Sequence, residues 1–148
     1  MDPMTEQLQF ILLRDLTAFQ MELEGIPENQ LWVKAEGFPN APGNLALHIA
    51  GNLQHFIGSV LGDSSYQRNR EAEFNAHAGT LAELQQELTA ARKAVEDVLP
   101  RLSAEDLAQD FPMAIEGRPM ATQAFLVRIA VHLSYHLGQL NVLKRILR

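Results

Sequence analysis

A chain of 148 residues, 47% apolar and 20% charged, is long enough to bury a core without covalent staples, and its make-up is that of one globular domain over residues 1–148. The net charge of −6, with no basic run longer than Lys144-Arg145, argues against a nucleic-acid groove or an anionic membrane surface as partner. The lack of cysteine excludes disulfides, a thiolate nucleophile and sulfur-ligated metal, and leaves histidine as the only borderline-soft ligand in the chain.

No apolar run approaches the roughly 18 residues of a membrane span, and Met1–Glu6 does not read as a signal peptide, so the expected compartment is the cytoplasm. The first predicted helix opens at Asp2-Pro3, a capping acceptor followed by a proline whose missing N–H costs nothing there. Leu8, Ile11, Leu12, Phe19 and Leu23 recur at helical spacing before Gly25 and Pro27 end it. A linker with Trp32 and the turn-rich Gly37–Gly43 follows. The second helix is expected from about Asn44 to Leu61, apolar around much of its circumference, with Gly62 suited to its C-terminal end.

Arg68–Glu73 is charged and reads most simply as a solvated loop. The third helix begins at Thr80, which with Glu83 spells a capping box, and carries a seam of Leu81, Leu84, Leu88, Ala91, Val95, Val98 and Leu102, with Pro100 stopping or kinking it near its end. Residues 103–121 read as connection, with Glu116-Gly117 able to turn a short hairpin. The fourth helix runs from about Thr122 to the C-terminus, burying Phe125, Ile129, Leu140 and Leu143. Four helices with one long crossover between the third and fourth predict an all-α four-helix bundle.

Histidines carry the functional signal. His132 and His136, four residues apart, lie about 40° apart around a helix and about 6 Å along it, so both rings can reach one point. They continue the buried stripe Phe125, Ile129, His132, His136, Leu143. One histidine on such a face is usually a hydrogen-bonded core residue, but two in succession are harder to satisfy away from water, because each ring brings a donor and an acceptor. On the second helix His48, Asn52 and His55 form a polar line at offsets 0, 4 and 7, extended by Ser59. That helix has no charged residue from Asn44 to Leu61, so the line is not an ordinary solvated face. Polar stripes on two apolar helices predict that they face each other around a polar pocket. His48, His132 and His136 would then offer three imidazoles to a divalent transition metal with an open coordination position. Asn52, His55 and Tyr135 are the expected pocket or supporting residues. His77 reads as exposed.

The strings Pro42-Gly-Asn-Leu-Ala-Leu-His-Ile-Ala-Gly-Asn52 and His132-Leu-Ser-Tyr-His-Leu-Gly-Gln139 resemble the signature of the DinB/YfiT-like superfamily. Tyr66–Phe74 is similar to a stretch found in one uncharacterised branch of it. The resemblance spans essentially the whole chain. It implies an up-down-down-up bundle, a three-histidine site for nickel or zinc (or iron) on His48, His132 and His136, and a homodimer. It also implies a small-molecule substrate, handled either by a transferase or isomerase that uses a low-molecular-weight thiol or by a metal-dependent hydrolase. Any thiol must come from a cosubstrate, since the chain has no cysteine. No acidic residue lies within one helical turn of a proposed ligand, which weighs against the hydrolase. The alternative is a non-catalytic protein, either a metal- or ligand-binding domain or a dimeric scaffold.

Overall fold

The computed structural model describes residues 1–148 and is all-helical, with no strand. Helix α1 spans Pro3–Glu24, capped as expected by Asp2, whose Oδ1 accepts from the backbone N–H of Met4 (2.8 Å) and Thr5 (3.2 Å). Helix α2 spans Pro42–Leu53 and continues without a break as a π-helical segment, Gln54–Leu61. Helix α3 covers Arg70–Asn75, α4 covers Leu81–Val98, α5 covers Ala104–Ala108 and α6 covers Thr122–Ile146.

Two of these elements correct the sequence reading. The charged 68–73 stretch is not simply a solvated loop: Asn69 caps α3 by accepting from the N–H of Ala72, and the helix folds back onto α2. Asn44 holds it there, donating through Nδ2 to the carbonyls of Glu73 (3.1 Å) and Ala76 (2.8 Å). The connection 103–121 contains the short α5, closed at its start by a reciprocal capping box between Ser103 and Asp106. The expected turn at Glu116-Gly117 forms, with both residues at positive φ (52° and 78°) between the bridged pair Ile115 and Arg118.

Four long elements surround one continuous core of buried apolar side chains. α1 and α6 run in the same direction, since Glu22 meets Asn141 (3.0 Å) and Lys144 (2.6 Å) near the ends of both. The α2–π element and α4 are also parallel: Gln54 bonds Glu87, Gly58 abuts Ala94 and Gly62 abuts Val98. α1 opposes α4 through Thr17–Arg92 (2.6 Å) and Gln20–Thr89 (3.4 Å). α2 opposes α6, with His48 against His132 and Phe56 against Phe125. The long, charge-free α2 is therefore covered by α3, α4 and α6, which is why it tolerates no lysine or glutamate.

Candidate metal centre

α2 and α6 bring the three histidines to one point. His48 Nε2 lies 3.0 Å from His132 Nε2, and His136 Nε2 lies 3.1 Å from the same atom. One ring nitrogen from each of the three falls within 4.8 Å of the others. His48 is buried at 7% exposure, whereas His132 and His136 are half-buried.

The outer nitrogens are held differently. His48 Nδ1 lies 3.0 Å from Glu73 Oε1, and that carboxylate is gripped by Arg68 through Nε to Oε2 (2.8 Å) and Nη2 to Oε1 (2.9 Å). Burial would raise the Glu73 carboxyl, but hydrogen bonds from His48 and Arg68 outweigh it and hold the group below the usual carboxylate range. The ionised carboxylate accepts, so His48 carries a proton on Nδ1, and in the metal-binding tautomer its Nε2 lone pair faces the other histidines. Gly51 makes this possible. A Cβ at that position would collide with the Glu73 carboxylate, so only glycine lets α3 lay its acid against the α2 backbone. His136 Nδ1 donates to Gln139 Oε1 at 2.7 Å, one turn along the same helix, and likewise presents Nε2. His132 Nδ1 is buried with no partner.

Burial pushes His132 down to about 4, and protonation of His136 or His48 beside it would push the same way. Burial also lowers His136, against the upward pull of Gln139. The two α6 rings are thus kept neutral, the form that binds metal. The donor set fits a divalent transition ion. Two imidazole nitrogens each about 2.1 Å from one ion, at an angle of about 90–110°, lie about 3.0–3.4 Å apart, close to the spacing of His132 Nε2 from each of the other two. Without a cation, a single proton on His132 Nε2 can serve only one of the two facing lone pairs at a time.

His48 and His132 also line a cleft of about 450 Å³ between α2, α6, the start of α3 with the residues before it, and the 113–116 turn. Asn52 lines it as expected, beside Phe56, Phe125 and Arg128. His55 does not line it and forms no hydrogen bond; its ring packs on Phe56 instead. The α2 side of the cleft follows the i, i+4, i+8 ridge of His48, Asn52 and Phe56, and His55 lies beside that ridge. Burial, then the Arg68 charge, lowers His55. Tyr135 does not line the cleft either; it is 63% exposed, its ring against His136 (5.2 Å) and its hydroxyl 3.5 Å from Gln139 Nε2. His77 is exposed.

A family model described as the DinB superfamily matches residues 11–140, the stretch that contains all three histidines, Glu73 and Gln139. The chain belongs to the DinB superfamily. No curated protein matches it. Within this DinB-superfamily chain, Arg68, Glu73 and Gln139 are functional candidates that sequence reasoning passed over. Gln139 stood in the His-x-Gly-Gln string without a role. Gly51 in the interior of a helix was the available signal for Glu73, because such a glycine marks a close approach by another part of the chain.

Proposed function

We propose that His48, His132 and His136 bind one divalent transition metal, nickel or zinc before iron, and that the protein is a metal-dependent enzyme acting on a small molecule with a thiol cosubstrate. The observation that carries this reading is the convergence of three imidazoles, with the Nε2 atoms of His48 and His136 3.0 and 3.1 Å from that of His132, and with two of the outer nitrogens already bonded to oxygen acceptors. In this reading the four long helices form an up-down-down-up bundle, one domain, and the active form is a cytoplasmic homodimer.

When bound, the metal would supply Lewis acidity toward a thiolate or a polarised oxygen. The chain's own residues orient it. Glu73 fixes the His48 ring, Arg68 keeps Glu73 ionised and in place, and Gln139 fixes His136. Glu73 does not serve as a free general base, because Oε1 already faces His48 and Arg68 while Oε2 accepts from Arg68. With that carboxylate committed no free protein base stands at the site, which favours thiol transfer over hydrolysis, because a thiol gives up its proton to solvent far more readily than water does.

The test is metal content by plasma mass spectrometry on tag-free protein and on His132→Ala. Near-stoichiometric metal in the wild type and its loss in the variant are expected. A wild type that is empty and refuses added nickel, zinc and ferrous iron overturns the reading.

A further inference from the structure

The cleft beside His132 has a charge that the rest of the molecule does not prepare for. The chain carries −6 overall, yet the cleft is lined by Arg68, Arg70 and Arg128 against a single acid, Glu116. These three arginines are not equivalent. Arg68 is 11% exposed and spends its charge on Glu73 behind His48. Arg70 has no carboxylate partner; its guanidinium lies 5.0 Å from the centre of the Phe74 ring, which holds it by its face and leaves its edge donors available. Arg128 pairs with Glu116 at 3.1 Å, but both side chains are solvated (48% and 76% exposed), and such a pair exchanges readily for a competing anion.

Apart from Asn52, His48 and His132, the rest of the lining is apolar and includes Phe56, Phe125 and Ile129. The volume of about 450 Å³ falls in the range of small-molecule sites. Guanidinium forks match carboxylate or phosphate oxygens two at a time. A net-negative chain repels anions at a distance, so an anion selected here is selected by these local donors.

We infer that this cleft binds a small organic anion, an apolar body with a carboxylate or phosphate head, with the head on Arg70 and Arg128 and the body on the aromatic lining. The inference deepens the proposed function and rests on it only for the end that points toward the histidines. Glu116 then acts as a stand-in for the head group, occupying Arg128 until the anion displaces it.

The experiment measures calorimetric binding of 2-naphthoate, 2-naphthyl phosphate and the neutral 2-naphthamide to chelator-treated protein, with metal uptake measured separately on the same variants. At least one of the two anions is expected to bind about tenfold or more tighter than the amide. Which one it is identifies the head group. Arg70→Gln and Arg128→Gln should each cut that preference several-fold without changing metal uptake. Glu116→Gln should strengthen anion binding by releasing Arg128. Equal affinity for amide and anions, no binding of any of the three, or an affinity unmoved by both arginine substitutions overturns the inference. Anion discrimination without metal uptake would leave the cleft standing and remove the metal reading; uptake without discrimination would do the reverse.

Discussion

The two helices that supply the histidines support them in opposite ways. On α2, His48 is buried and braced from another element: α3 delivers Glu73 and the loop before it delivers Arg68. On α6, His136 takes its brace from the same helix, one turn away at Gln139, and His132 has none, its Nδ1 buried and bare. A brace from the same helix is local and partly wet. A brace from another element depends on the packing of α3 against α2 and on the absence of a side chain at Gly51. The α2 side is therefore the preorganised half of the site, and His132 is the ring with most to gain from a cation, since its position between two lone pairs is otherwise unfavourable.

The largest effects come from removing a ring. His48→Ala and His132→Ala should each lower metal affinity by about a hundredfold or more, read by competition with a chromogenic chelator, because two imidazoles hold such ions far less well than three. Glu73→Gln tests the brace alone. It keeps shape and removes charge, and should cost about 10–100-fold in metal affinity. Retention of full affinity in Glu73→Gln would show that the carboxylate serves α3 docking and not the ring. Gly51→Ala attacks the same brace from the backbone. Alanine favours a helix over glycine by about 1 kcal/mol, yet here its methyl must displace a carboxylate pinned by Arg68 and His48. Affinity should fall about as far as in Glu73→Gln, a result that helix propensity alone does not produce.

Why the two halves differed in legibility follows from the same contrast. Helical spacing places His132, His136 and the apolar stripe on one face from residue type alone, and the absence of charge from Asn44 to Leu61 marks α2 as enclosed. The main helices and the histidine convergence could therefore be read directly. Glu73 could not, because its role depends on a six-residue helix returning to cover α2, and a glutamate in a charged run looks solvated by default. On α2 the cleft follows the ridge His48, Asn52, Phe56, and spacing alone did not separate that ridge from the neighbouring line through His55.

The pH response of the metal-free protein separates the halves again. His132 titrates at about 4 in the folded chain against roughly 6.5 when unfolded. Between those values the unfolded chain binds the proton and the folded chain does not, so stability should fall as pH drops from about 6.5 toward 4. The downward shift of His136 adds in the same sense. His132→Gln should flatten that part of a melting-temperature profile, and an unchanged slope would remove His132 as its source. Half-exposure of the ring keeps the effect modest.

The smallest effect should follow Gln139→Ala. Gln139 bonds His136 Nδ1 at 2.7 Å, but it sits on the same helix as the ring it holds, and its other end reaches only the exposed Tyr135 hydroxyl at 3.5 Å. Water can take its place at little cost, so metal affinity should fall only about threefold, below the usual loss for a buried support. Measured beside Glu73→Gln by the same chelator competition, the pair ranks an intrahelical brace against one brought from another element. A Gln139→Ala loss equal to that of Glu73→Gln would mean that orientation of the ring matters wherever the brace originates, and that burial and charge at Glu73 add nothing to it.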